Sequence, residues 1–389
     1  MMEQSKKENF LAKLYNSNKV SGYYKSLRFA FKEQDVYKSE DNELCLGKKS
    51  FVKVIIAFPQ FLIPKFQSNT LRVRQVVQKK MECFGIVIDK NLNSIDDYLR
   101  GHFSKNSRTP VIKKKKRLES SFNISYKVYY GNIEPDVYEN LISTCKRMLV
   151  ERFEQRADHN HVLNNWEAYR NSLYTLINKK KASFFVIYNN NTPIQISVNY
   201  HYKNIMFAYI PAYDINYSKF GLGNTAVYMQ LKWCIENKYE YLDFGNGNYD
   251  YKRRWCNYEY LLETHIICQK NSLIGNGVAL LELGLVKLKN LLKDLNIDVF
   301  LQNLRPKANG SASSETFEQF NFIAIEEDFK PDEFEKISLD TDEFNFLKKP
   351  VFDFIYQYQD HFDSIKVYKE NDTTFVIAGE KNTKKLTLE

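Results

Sequence analysis

The chain has 389 residues, 43% of them hydrophobic, 26% charged and 15% aromatic, with a formal net charge of +9. That length and balance fit two or three globular domains and exclude a chain that is disordered throughout. The six cysteines, Cys45, Cys83, Cys145, Cys234, Cys256 and Cys268, show no Cys-x-x-Cys spacing, which fits free thiols in a reducing compartment better than a disulfide framework or a zinc site. Basic residues crowd positions 105–117 and acidic ones 326–343, a distribution compatible with polyanion binding that does not require it. No apolar leader opens the sequence, and its most apolar run, residues 51–64, is broken by Lys53, Pro59 and Pro64. The expectation is a cytoplasmic protein with no membrane span.

Up to residue 47 the chain reads as a loose polar tail followed by short strands around Tyr23, Tyr24, Phe29 and Phe31. Residues 51–58 alternate around Val52, Val54 and Ile56 and read as a strand; residues 71–81 read as a helix, and Gly85 opens a second strand through Ile86, Val87 and Ile88. Ser94 is the expected N-cap of a helix carrying Ile95, Tyr98 and Leu99, with Asp96 and Asp97 in its first turn, where the dipole favours them. Residues 103–122 form a helical stripe of Val111, Leu118 and Phe122 carrying the basic run Lys113, Lys114, Lys115, Lys116, Arg117. This run is either a solvated face or an attractor for an anionic substrate such as a nucleotide tail, a lipid phosphate or tRNA.

A strand over residues 124–130 and helices over 134–156 and 166–177 follow. His159 and His161 between the helices have no third ligand in view and read as a polar loop, so no metal is expected. Residues 183–188, 193–202 and 205–212 alternate apolar and polar residues between tight asparagine turns, as an antiparallel meander does.

Next comes the stretch with the most chemistry in it. Ser218, Lys219, Phe220, Gly221, Leu222, Gly223 and Asn224 form a glycine turn that opens a helix with Ala226, Val227, Met229, Leu231, Trp233 and Cys234 on its apolar face. Glycine lets backbone N–H groups approach a ligand closely, and the unpaired amides of a helix N-terminus favour an anion such as pyrophosphate. Residues 239–244 then read as a buried strand ending in Asp243, followed by a loop of Gly245, Asn246, Gly247, Asn248, Tyr249, Asp250, Tyr251 and Lys252. A further strand spans 258–268, and a helix spans 278–295 with Leu281, Leu285, Leu288 and Leu292 in register. After a linker over residues 306–314, a helix near 352–358 and strands at 365–368 and 374–377 make a small appended module.

With Asp243, Phe244, Gly245, Gly247, Tyr251, Lys252 and Trp255 in that order, the glycine-turn segment resembles the FemAB-like and CelD-like acyltransferases of the GNAT superfamily. The resemblance extends more loosely over residues 94–295 and includes the basic helices near 98–118. It departs at Asn246 and Asn248, where many relatives carry an arginine and an acidic residue. The fold implied is α/β (α+β) and GNAT-like, with two lobes of mixed, mostly antiparallel sheet flanked by helices. These would be a degenerate N-terminal lobe over 1–130, an acyltransferase lobe over 131–300, and the linker and small C-terminal α/β module over 301–389.

The activity the resemblance implies is acyl transfer from acyl-CoA, acetyl-CoA being the simplest donor, to an amine on a sugar, lipid, peptide or envelope precursor. Aminolysis of a thioester needs a proton acceptor for the amine, a donor to the oxyanion and a proton source for the thiolate. Asp243 is the candidate base, Tyr251 the acid with Tyr249 as its neighbour, and Lys252 the cation that steadies the oxyanion or a phosphate. Ser218, Lys219, Gly221, Gly223 and Asn224 are the candidate donor-binding residues; Gly245, Gly247, Tyr249, Lys113 and Lys114 are the candidates for substrate contact. Each has a structural alternative, with Asp243 accepting a loop amide, Tyr251 packing and Lys252 reaching solvent. Two other functions stand beside the first: aminoacyl-tRNA-dependent peptidyl transfer, and polyanion binding on a transferase fold that has lost its chemistry.

Overall fold

A computed structural model describes residues 7–40, 51–156, 161–295, 320–324 and 329–388. Cys45, His159 and the 306–314 linker lie outside them. The N-terminal elements are β1 (Lys7–Asn9), α1 (Phe10–Ser17), β2 (Tyr24–Phe29), β3 (Asp35–Lys38), β4 (Val52–Pro59), β5 (Leu62–Phe66) and β6 (Leu71–Val87). Next come α2 (Ile95–His102), α3 (Lys105–Ser121), β7 (Ile124–Tyr129), α4 (Pro135–Arg156), α5 (His161–Asn164) and α6 (Trp166–Asn178). The meander is β8 (Ala182–Asn189), β9 (Thr192–Tyr202) and β10 (Ile205–Tyr213), and a 3-10 turn (Ile215–Phe220) leads into α7 (Leu222–Glu236). Beyond it lie β11 (Tyr241–Asn246), α8 (Asp250–Trp255), β12 (Tyr258–Gln269) and α9 (Leu273–Asp294). The C-terminal elements are β13 (Phe320–Ala324), β14 (Glu335–Ile337), α10 (Lys348–Tyr358), β15 (Lys366–Lys369), β16 (Thr374–Ala378) and β17 (Thr383–Leu388).

The fold is mixed α/β. One nine-stranded sheet runs β1-β4-β12-β6-β11-β10-β9-β8-β7, beside a three-stranded sheet β3-β2-β5 and a five-stranded sheet β13-β17-β16-β15-β14. In the large sheet β1 with β4 and β10 with β11 pair in parallel and every other neighbouring pair is antiparallel. Position 130 falls between β7 and α4, and β12 from the later half inserts between β4 and β6 from the earlier half.

Four elements differ from the sequence expectation. Residues 71–81 are not helical but the first part of β6, because β12 pairs along this strand from Leu71 to Gly85 and β11 takes its other edge from Cys83 to Val87. With Val73, Val76 and Val77 available to a pleated surface, sheet pairing overrides the helical spacing. The N-terminal tail contains α1, capped by Asn9 and anchored by buried Phe10 and Leu14. Residues 250–255 of the polar loop coil into α8, closing over Trp255, which is fully buried. Finally, α9 starts at Leu273 rather than at residue 278, and its leucines in helical register, Leu281, Leu285, Leu288 and Leu292, face outward.

The Ser94 cap is present as a capping box with Asp97. The C-terminal module is joined to the large sheet by a shared core: Phe352 lies 4.6 Å from the Tyr217 ring and 5.1 Å from Phe122. Tyr356 meets Phe220 at 5.2 Å, just before the glycine turn. The cysteines among the described residues are all buried and unpaired.

Candidate active site

The site is organised by a fork in the large sheet. β10 and β11 pair in parallel only at Ile205, Met206 and Phe207 against Tyr241, Leu242 and Asp243. Past that point β10 stays with β9 through a bulge between Ala208 and Ile210, while β11 stays with β6 through an irregularity between Asp243 and Gly245. Bulges add local twist, so the two strands are carried apart and Asp243 stands where they part.

At one side of the fork, α7 begins at Gly221, whose φ of 69° is in the left-handed region that a side chain disfavours. The Asn224 and Thr225 amides donate to the Gly221 carbonyl, and the helix N-terminus before them carries a partial positive charge. Lys114 of α3 lies across this turn, its Cδ only 3.1 Å from where a Cβ on Gly221 would stand, whereas a Cβ on Gly223 would meet open space. Gly221 and Lys114 therefore stand side by side, with Gly223 open beside them. Lys219 points away to an ion pair with Asp353 at 3.2 Å, and Asn224 accepts a hydrogen bond from Trp255 Nε1 at 2.9 Å, tying α7 to α8. Ser218 and Lys113 are exposed.

On the other side the loop after β11 is set by two glycines at positive φ, Gly245 at 61° and Gly247 at 114°. A Cβ on Gly247 would stand 2.8 Å from the Tyr249 ring, so these glycines shape the loop. Asn248 Nδ2 donates to Glu82 at 2.7 Å. Lys252, expected to steady the oxyanion or a phosphate or else to reach solvent, is instead buried, and its Nζ donates to the carbonyls of Phe244 (2.7 Å), Gly245 (3.2 Å) and Asn246 (2.6 Å). Its three N–H bonds thus staple the loop to the helix that follows. Burial holds its pKa below the ordinary lysine value, with Asp243 pulling the other way.

Asp243 is 1% exposed and accepts from Tyr260 Oη at 2.8 Å. Burial pushes its carboxyl up to about 6, against the Tyr260 hydrogen bond, the Gly245 amide and the Lys252 charge, each of which lowers it. Burial likewise raises Tyr15, Tyr241 and Tyr260, and Asp243 raises each further. The carboxyl is thus ringed by neutral phenols and can change protonation near neutrality.

Tyr251 is half-buried and Tyr249 is 56% exposed, the two rings stacked 6.2 Å apart. Burial raises the Tyr251 phenol and the nearby Arg152 charge lowers it. No hydrogen bond engages Tyr251 Oη among the described residues, which leaves it free to donate to a ligand. Tyr251→Phe is therefore expected to leave Tm unchanged and to lower kcat by roughly tenfold to a thousandfold; a Tm that falls in step with kcat would assign the ring to packing.

Several residues of the fork were missed from the sequence. Tyr15 of α1 stacks on Tyr200 at 4.8 Å and meets Phe207 at 5.0 Å and Tyr209 at 5.3 Å. Tyr209 Oη bonds Tyr169 Oη at 2.9 Å. Arg152 donates to the Pro211 carbonyl at 2.9 Å and lies 5.0 Å from the Tyr213 ring centroid. The tyrosine-rich composition was the one signal available, since no spacing puts α1 beside β9 and β10. Among the described residues no group of three or more His, Cys, Asp or Glu is placed to hold a metal, and no helix is long and apolar enough to cross a membrane.

Residues 106–253 match a family described as an acetyltransferase (GNAT) domain, so the span from α3 to α8 is similar to that domain. Among solved structures, FemX is 13% identical, with 54% of this chain and 68% of that chain covered at a TM-score of 0.38. L-PGS from Bacillus licheniformis is 11% identical, with 60% and 72% covered at 0.35. A conserved protein of unknown function from Bacteroides thetaiotaomicron VPI-5482 is 11% identical, with 57% and 70% covered at 0.36. No protein of curated function matches significantly.

Proposed function

We propose that this chain is a GNAT-type acyltransferase that moves an acyl group from an acyl-CoA thioester to a primary amine. The observation that carries the reading is the fork itself: an anion-ready helix N-terminus at Gly221 and Gly223 on one side, and a buried carboxyl with a pKa raised to about 6 at the parting of β10 and β11. In this reading the pyrophosphate rests on the first-turn amides of α7 with Lys114 beside it. The thioester then lies along the fork, and the amine meets Asp243. Asp243 takes the amine proton, directly or through a water, and Tyr251 gives a proton to the departing thiolate. Lys252 acts as a positioning residue, because its ammonium fixes the loop that carries Tyr249 and Tyr251.

A second reading, transfer from aminoacyl-tRNA, is favoured by the basic face of α3. There Lys113 and Lys116 are exposed and Lys114 borders the glycine turn. The two donors separate by thermal shift, since a ligand that binds the native state raises Tm by mass action. Coenzyme A is expected to raise Tm of the parent. Gly223→Val, which adds a side chain in open space, is expected to abolish that rise while the unliganded Tm stays where it was. A rise with tRNA and none with coenzyme A would replace the first reading with the second. An undiminished coenzyme A response in the valine variant would move the donor away from the glycine turn.

A further inference from the structure

Helix α9 wears its apolar side outward. It is a 22-residue helix capped by Ser272, about 33 Å long at 1.5 Å per residue. One side docks on the sheet: Ala279 is buried, Leu283 packs beside it against Val54 and Ile266, and Asn290 Nδ2 donates to the Val77 carbonyl at 2.8 Å. The other side carries Leu273, Leu281, Leu285, Leu288, Leu291 and Leu295, each at least half exposed, with Leu273 at 91%. At about 100° per residue the outward arc from Leu280 to Leu285 spans about 140°. Within it stand only leucine, isoleucine and glycine.

The borders of that arc are basic. Lys287 follows one edge and Lys289 the other, both exposed and without an ion pair among the described residues. The acidic residues of the helix are already engaged, Glu282 with Lys7 at 3.5 Å and Asp294 with Lys79.

We infer that α9 lies flat on an anionic lipid surface, its leucine face in the acyl boundary and Lys287 and Lys289 at the headgroups. A broad apolar face bounded by lysines on both sides is the geometry of an in-plane interfacial helix, whose lysine stems follow the apolar surface while the ammonium groups stay at the headgroups. A second copy of the chain fits less well. A helix seam takes a narrower stripe, and a two-fold contact would set the lysine borders against each other with no free carboxylate on α9 to receive them. The formal net charge of +9 adds attraction to the same surface.

The test is flotation of the full chain with vesicles of phosphatidylcholine alone and of phosphatidylcholine mixed with phosphatidylglycerol, alongside its sedimentation without lipid. The parent is expected to float with the mixed vesicles and to release at high salt. Leu281→Asn and Leu288→Asn, both at exposed positions, should each lower partition about tenfold with Tm unchanged. Lys287→Ala with Lys289→Ala should lower binding to the mixed vesicles roughly tenfold. Failure to float with either vesicle would overturn the proposal. So would a dimer in solution that Leu281→Asn dissolves without any vesicle binding, or equal partition of the parent and the double lysine variant.

Discussion

Replacing Lys252 with methionine is expected to cost the protein both stability and turnover. The side chain is buried, and its ammonium satisfies the carbonyls of Phe244, Gly245 and Asn246, the backbone that leaves β11 and turns toward α8. Methionine keeps most of the apolar stem and removes every donor. With about 1–3 kcal/mol for each buried acceptor left unpaired, and less for the two that are only partly buried, the loss comes to roughly 3 kcal/mol. Tm should fall by roughly 5 °C. Gly245 and Gly247 hold left-handed conformations in the same loop, so its backbone has little alternative packing to relax into. Tyr249 and Tyr251 are carried by this segment, and kcat should therefore fall together with Tm. Denaturation and kinetics on the same preparation check this, with Trp255→Ala as the control for loss of core packing. An unchanged Tm with lost turnover would instead put the ammonium on the substrate, as the sequence reading had it.

The local parts of this site were legible in the sequence. The glycine turn into α7, the buried strand around Asp243 and the three-strand meander each have a signal within a dozen residues: glycines before a helical period, a short apolar run, and alternation between asparagine turns. The orientation of Lys252 was not legible, because the carbonyls that capture it, those of Phe244, Gly245 and Asn246, are backbone atoms common to every residue. Nor was the strand at residues 71–87, whose state is decided by β12, nearly two hundred residues later in the chain. The same holds for Tyr15, which reaches the fork from α1 through stacking on Tyr200. The leucines of α9 show the limit of periodicity: spacing identifies an apolar face, but only the docking of Ala279 and Asn290 on the sheet shows that the face looks away from it.

Asp243→Asn is expected to separate activity from stability in opposite directions. Burial raises the carboxyl from its ordinary value of 3.8 to about 6, so between those pH values the folded chain holds a proton that the unfolded chain has released. Folding stability contributed by this group therefore falls as pH rises from about 4 to about 6. Above that window the ionised group carries a penalty of order 3 kcal/mol. Asparagine cannot ionise and still offers Tyr260 Oη an acceptor at the position now 2.8 Å away. The variant should lose the stability decline between pH 4 and 6, and at neutral pH it should be at least as stable as the parent. Its catalysis should fall by roughly a hundredfold or more, since the amine loses its base. In the parent, kcat/KM should rise with pH to a limb near 6, reporting the free-enzyme ionisation, and that limb should be absent from the residual activity of the variant. Urea titrations at several pH values and a pH–rate profile measure the two halves independently. A parent profile with no ionisation near 6, or a variant with full activity, would reduce Asp243 to the acceptor of the Tyr260 hydroxyl and the Gly245 amide and leave the fork without its base.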